Sequence, residues 1–337
     1  MSRKLNAAIR SKSEGTPIPG DLLTVEQLLE SWLRERASKR VRPSTFRSYE
    51  VKCRLHIIPA IGKVRIAKLT PRRLERLLND LVAGGVSPQS ASHIRAVPRN
   101  ALNTAMRWGL IGRNVAALVD APTVPKREIK ALTVSNAKAI LDAVTADRLE
   151  GLFAIALAVG LRQSEALALQ WSDIDLEGGS LRVERVLQRV GGEYRFFDPK
   201  NDSSRRTVPL PRELRTALHR HRARQLEERL KAGSAWQSDE FGDLVFTDEV
   251  GTPLSGYHVT RQFRKLLEGS GLASMRYHDL RHGATSLMAA LGVPVRVAME
   301  ILGHAQISTT MNIYAHVAPE YQRDAMERVV TAISAES

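Results

Sequence analysis

Residues 121–127 read A-P-T-V-P-K-R, and no regular element can run through them. Each proline lacks a backbone N–H, and the residue before it is pushed away from helical conformations. No apolar residue recurs there at a helical or strand spacing. A chain of 337 residues broken at that point is expected to fold as two domains joined by a linker, placed at 113–130.

Before the break the signals are helical. Residues 1–22 are polar and basic, carry Gly15, Pro17, Pro19 and Gly20, and read as a flexible tail. Thr24 and Gln27 form a capping box ahead of Leu28, Leu29, Trp32 and Leu33. A second helix is expected from near Ser44, after Pro43. Thr70-Pro71 and Ser87-Pro88 each place a capping side chain before a proline at the first helical position. Leu74, Leu77, Leu78 and Leu81 follow the first pair, and Ile94, Val97 and Ala101 the second, at the spacing of one helix face. Residues 23–112 therefore read as a small all-helical domain. Its polar faces carry Arg40, Arg42, Arg47, Lys52, Arg95 and Arg99, the candidates for contact with a polyanion.

After the break the pattern is mixed. Thr133 caps a helix, and residues 152–159 are almost wholly apolar, which predicts a buried helix ended by Gly160. Leu181, Val183 and Tyr194 lie in strand-like stretches on either side of Gly191-Gly192, which predicts a hairpin. Residues 206–210 read as a third strand, and most of the chain beyond Pro211 reads as helix. Residues 131–320 are thus expected to form a mixed α+β domain, with 321–337 as a C-terminal tail. The predicted class is mostly α with a small antiparallel β-sheet.

Charge narrows the partner. Lysine and arginine number 50 against 36 acidic residues, a net of +14, and such an excess draws in polyanions. Nucleic acid is the leading partner class, ahead of an anionic membrane surface. No apolar run approaches the roughly 18 residues of a spanning helix, so no membrane segment is expected. Met1-Ser2-Arg3-Lys4 leads into no apolar stretch and does not read as a signal peptide. One cysteine, Cys53, excludes an intrachain disulfide and a cysteine-based zinc cluster, and a cytoplasmic setting is the natural expectation.

Four segments of the second domain carry chemistry: Gly160-Leu161-Arg162-Gln163-Ser164-Glu165, then Pro199-Lys200 before Ser203-Ser204-Arg205-Arg206, then His278-Asp279-Leu280-Arg281-His282, then Leu302-Gly303-His304 with Tyr314. His278 and Arg281 share one face of a helix, being three apart. A guanidinium offers a planar fork of donors that suits phosphate oxygens. Arg162 and Arg281 together can hold a phosphodiester and neutralise the charge that builds as it reacts, a task that elsewhere falls to a metal. No dense carboxylate cluster points to a metal site. A tyrosine hydroxyl, with a pKa of about 10, needs cations or a base beside it before it can attack phosphorus.

Each residue alone has an ordinary reading. Tyr314 in a C-terminal helix, capped by Ser308 or Thr309, can be a core aromatic. Arg162 can satisfy the carbonyls at the end of the preceding helix, and Glu165 can be a first-turn helix acid. Lys200 sits among Asp198, Asp202, Arg205 and Arg206, a solvated charged turn. It is the order and joint presence of the segments that carry weight.

The order G-L-R-x-x-E, P-K-x-x-S-S-R-R-T-V-P-L, H-D-L-R-H and L-G-H, with Y-A-H ten residues on, resembles the tyrosine recombinase (phage integrase) family. The match covers nearly all of residues 130–320. The helical domain is similar to the family's core-binding, SAM-like domain in size, position and basicity. The resemblance implies an enzyme that cuts and rejoins double-stranded DNA at specific core sites through a 3′-phosphotyrosine, for integration or excision of a phage or mobile element. A chromosome-dimer resolvase of the Xer type and a type IB topoisomerase are the rival readings.

By that resemblance Arg162 and Arg281 bind the scissile phosphate, and Tyr314 attacks it. Lys200 protonates the leaving 5′ oxygen, with Arg205 as its rival for that role. His278 takes part in proton transfer, His304 donates a hydrogen bond, and Glu165 and His282 support the others. No cofactor, metal or ATP is implied. A homotetramer on two duplexes is implied, with a DNA-bending host factor and an excisionase as further partners. Tyr321, Met326, Val329, Val330 and Ile333 can form an apolar stripe that docks either on a neighbouring subunit or on its own domain.

Overall fold

The computed structural model describes residues 22–125, 131–237 and 240–308, together with 310, 311, 313, 314, 326, 327, 330, 331, 333 and 334. The chain divides into two units, residues 1–128 and 129–337. The expected tail over residues 1–22 lies, save Leu22, outside the described residues.

Among its described residues the first unit has helices and no strand. Helix α1, Val25–Trp32, starts at the expected capping box: the Thr24 hydroxyl accepts from the Gln27 N–H, and the Gln27 amide oxygen accepts from the Thr24 N–H. It runs on through a π-helical turn, Leu33–Ala37, into Ser38–Arg40. Helix α2, Pro43–Lys52, opens with proline at the first position, where no backbone donor is needed. It too continues through a π turn, Cys53–Ile57, into Ile58–Ile61. Helices α3, Pro71–Ala83, and α4, Pro88–Arg107, are capped by Thr70 and Ser87 as expected. Leu28, Leu29, Trp32, Ile57, Leu74, Leu78, Ile94, Val97 and Leu102 fill the shared core.

That core reaches further along the chain than the expected linker allows. Val115, Ala116 and Val119 are buried in it, Asn114 caps the turn Val115–Leu118, and the Arg95 guanidinium donates to the Val119 carbonyl at 2.6 Å. Residues 113–119 therefore belong to the first unit, because their apolar side chains have a core to enter. Residues 120–125 carry no helix or strand, and 126–130 lie outside the described residues.

In the second unit, Thr133 caps helix α5, Val134–Val144. Helix α6, Glu150–Ala158, is buried from Glu150 through Leu157, as its apolar run predicts. Helix α7, Gln163–Ala166, is a single turn. Strands β1, Ile174–Asp175, β2, Ser180–Val183, and β5, Arg206–Pro209, form an antiparallel sheet in the order β1-β2-β5. Strands β3, Val186–Val190, and β4, Glu193–Phe197, form a separate hairpin. Four further helices follow: α8, Arg212–Ala232; α9, Gly256–Gly269; α10, Tyr277–Ala290; α11, Val295–Leu302.

The hairpin is centred on Gly191-Gly192, as expected, but its first strand is not the one carrying Leu181 and Val183. Those two residues lie in β2 and pair with Val208 and Arg206 of β5. Both are fully buried, and pairing with β5 keeps them under the helices. The hairpin partner of Tyr194 is Arg189, in β3.

Candidate active site

The site forms where three segments meet at the end of α11. Helix α6 gives way at Gly160, which sends Leu161 into the core and Arg162 to the start of α7. Glu165, on the first turn of α7 and 1% exposed, accepts from the Arg162 N–H at 3.0 Å and from its Nη1 at 2.6 Å. Glu165 is thus both the first-turn acid and a partner of Arg162. Its second oxygen also accepts from Nη2 of Arg206, at 3.3 Å. Burial pushes the Glu165 carboxyl pKa up, but Arg206 and Arg162 outweigh it and hold the group ionised below its usual range.

Arg281 projects from α10 into the same place and is 3% exposed. Its Nη1 donates to the Gly160 carbonyl at 2.5 Å and its Nη2 to the Leu302 carbonyl at 2.7 Å. Arg206 donates from Nε to the Ile301 carbonyl at 2.6 Å, and Arg162 from Nη2 to the Gly303 carbonyl at 3.2 Å. Three arginines from three segments therefore take three successive carbonyls. These are the orphan acceptors at the negative end of α11, where cations are favoured.

Gly303 makes that turn possible. Its φ of +66° is left-handed, and a Cβ there would stand 2.8 Å from Nη1 of Arg206. The chain leaves it into His304, whose Nδ1 is 2.8 Å from the Thr310 hydroxyl. Burial first, then Arg281, Arg162 and Arg206, pushes the His304 pKa down to about 4. The ring is neutral near pH 7.

His278 and His282 lie on α10 with their rings 4.9 Å apart, edge to face. Burial lowers both pKa values, and Arg281 lowers them further. The structure thus brings Arg162, Glu165, Arg281 and His304 into one cluster, with His278 and His282 beside it.

Two expected members stand apart. Lys200 is exposed in the bend between β4 and β5, with no hydrogen bond or ion pair among the described residues. Its rival Arg205 is held at the surface by Asp198, at 2.5 Å. The Tyr314 hydroxyl donates to the Val293 carbonyl at 2.9 Å, and its ring packs with Ala284, Ala298 and Leu302. Burial raises its pKa. Ser308 is already helical, so it does not cap this turn, and Thr309 lies outside the described residues.

Arg206 stood in the second of the four segments, but the sequence reading gave it no role in the site. The signal was there: on β5 it alternates with Thr207 and shares a face with the buried Val208, and a cation on a buried face must have a carboxylate partner.

In the first unit Arg40, Arg47 and Arg99 are exposed, while Arg42, Lys52 and Arg95 are half-buried. Lys52 donates to the Ser48 hydroxyl. Among the described residues no three His, Cys, Asp or Glu side chains meet to hold a metal, and no helix is long and apolar enough to cross a membrane.

A helical unit followed by a mixed unit with an arginine–histidine cluster at a helix end is the arrangement that the resemblance to tyrosine recombinases led us to expect. Two family descriptions match the chain: phage integrase family over residues 130–321, and phage integrase, N-terminal SAM-like domain, over residues 24–82. The chain belongs to the phage integrase family of tyrosine recombinases.

A tyrosine recombinase XerC-like protein of Caldanaerobacter subterraneus subsp. tengcongensis is 32% identical over 321 residues, covering 90% of this chain and 82% of that one. Among solved structures, the Tn1549 transposon integrase in complex with transposon right end DNA superposes with a TM-score of 0.77 at 23% identity, over 91% of this chain and 100% of that one. The lambda integrase tetramer bound to a Holliday junction gives 0.60 at 21% identity, over 90% and 81%. At these identities the likeness to the solved structures is one of fold.

Proposed function

We propose that this chain is a site-specific DNA recombinase that integrates or excises a phage or mobile element through a 3′-phosphotyrosine. The observation that carries the reading is the charge of the cluster. Arg162, Arg206 and Arg281 face the single carboxylate of Glu165, and three positive charges less one negative leave two in a partly buried site. Such a site attracts a phosphodiester and stabilises charge that grows on its non-bridging oxygens.

Arg162, with a side chain 34% exposed, meets one oxygen, and Arg281 beside it meets the other. His304 is neutral and presents an Nε2–H to the same group when the Thr310 hydroxyl donates to Nδ1. Tyr314 leaves the Val293 carbonyl and attacks phosphorus. The Tyr314 hydroxyl gives its proton to the neutral His278 ring as the Oη–P bond forms, the P–O5′ bond breaks, and Lys200 gives the leaving oxygen its proton. One ester replaces another, so the freed 5′ hydroxyl of a partner strand can reverse the step without ATP.

Arg40, Arg42, Arg47, Lys52, Arg95 and Arg99 supply phosphate contacts at the core site, which makes affinity fall steeply with salt. Met326, Val330 and Ile333 are 62%, 57% and 67% exposed at helical spacing, and they support a homotetramer on two duplexes joined through this stripe. A DNA-bending factor and an excisionase are the separate proteins expected to set the direction.

The test is footprinting combined with covalent trapping on DNA that flanks the gene, in excess chelator. A protein–DNA adduct is expected from the parent chain. The Tyr314→Phe variant should bind the site with unchanged affinity and form none; an undiminished adduct in that variant would remove Tyr314 from its role.

A further inference from the structure

We propose that Arg206 is a positioning residue of this site, one that frees Arg162 for the phosphate and locks the Lys200 segment to the turn bearing His304. The proposal rests on the phosphodiester reading of the cluster. Arg206 is not given a phosphate contact, because all three of its guanidinium nitrogens already donate to the protein. Instead each arm of its guanidinium has a separate acceptor: Nε the Ile301 carbonyl at 2.6 Å, Nη1 the Ser204 carbonyl at 3.0 Å, and Nη2 the Glu165 carboxylate at 3.3 Å.

That fork acts in two ways, the first electrostatic. Glu165 is 1% exposed and ionised, so both of its oxygens need cationic partners. With Arg206 on the second oxygen, Arg162 gives Glu165 only Nη1 and its backbone N–H. Without Arg206, the whole buried charge falls on Arg162, the half-buried guanidinium that must face phosphate. The second action is mechanical. Ser204 lies four residues after Lys200, and Ile301 three residues before His304. One rigid fork thus ties the segment that brings the proton to the turn that brings a hydrogen-bond donor. A lysine has no planar fork to serve three acceptors.

The test uses the full chain on the site found by footprinting, with single-turnover cleavage followed between pH 5.5 and 8. Arg206→Gln is expected to cleave on the order of 10- to 100-fold more slowly while site affinity stays within about twofold. Its deficit should shrink as pH falls, because a Glu165 stripped of one cation protonates more readily and releases Arg162. Glu165→Gln added to Arg206→Gln should recover part of the rate. Arg206→Lys should stay slower than the parent.

A deficit that is flat across pH and unrelieved by Glu165→Gln would reduce Arg206 to a scaffold group and overturn the proposal. A normal rate in Arg206→Lys overturns the tie between the two segments. If Arg206→Gln does not fold, the double variant carries the test: it should fold and cleave within about tenfold of Glu165→Gln alone, and a folded but inactive double variant overturns the proposal. Tyr314→Phe runs beside these. An adduct persisting there sinks the phosphotyrosine reading itself, whereas its loss leaves the Arg206 result to stand or fall alone.

Discussion

A methyl group on Gly303 would meet Nη1 of Arg206 at 2.8 Å and the Ser203 carbonyl oxygen at 3.1 Å, on a backbone with φ of +66°. The left-handed conformation alone costs a non-glycine residue about 1–2 kcal/mol. Gly303→Ala is therefore expected to lower the melting temperature by about 2–4 °C per kcal/mol. Cleavage should fall further than that loss explains, because the Gly303 carbonyl holds Arg162. Calorimetry and the trapping assay, run on one preparation, check both halves; unchanged cleavage would mean that the α11 turn does not set Arg162. The reason for this glycine was hidden in the sequence, where Leu302-Gly303-His304 looks like any helix stop. Arg162, Glu165, Arg281 and His304 were legible because their spacing within short segments survives folding. The Arg206 contacts bridge 41 residues to Glu165 and 95 to Ile301, so no local pattern announces them. The contact of Tyr314 with Val293 was equally invisible, being made to a backbone atom 21 residues away.

Helix starts were read almost to the residue, since Thr24, Thr70, Ser87 and Thr133 act through neighbours three positions on. Strand pairing was not, because partners are chosen by burial across long loops. Leu181 and Val183 look like hairpin residues, yet β5 gives them a better covered face. The Gly191-Gly192 turn itself was correct, with both φ values positive, as a tight two-residue hairpin demands. The capping box of α1 gives a test at this scale. Thr24→Ala should destabilise the first unit by about 1 kcal/mol. Gln27→Ala should lose part of the same energy, so the double variant should fall short of the sum of the two. Strict additivity in denaturant unfolding would show that the two hydrogen bonds of 3.2 and 3.0 Å act independently.

Over the whole chain, the break at the prolines divides two cores, although the first extends to Val119 by recruiting apolar residues from the expected linker. Among the described residues of the second unit, four histidines, His221, His278, His282 and His304, have pKa values that burial lowers. His221 lies between the Val245 and Arg148 carbonyls under Trp171, while the other three crowd Arg281. A folded-state pKa below the unfolded value of about 6.5 means that the unfolded chain binds more protons in between. Stability from these groups is thus fully present above about pH 6.5 and drains away as pH falls, for His304 down to about 4. Glu165, depressed as well, adds a loss of the same sign below its unfolded value. Protonation also raises a net charge that already stands at +14, and self-repulsion works in the same direction. Salt separates the two causes. Screening relieves repulsion between exposed charges but reaches buried histidines poorly. Melting temperature should therefore drop between pH 7.5 and 5 at both low and high salt. His304→Gln should reduce the drop, and a drop abolished by salt alone would assign it to surface charge and leave the histidine cluster without a part in it.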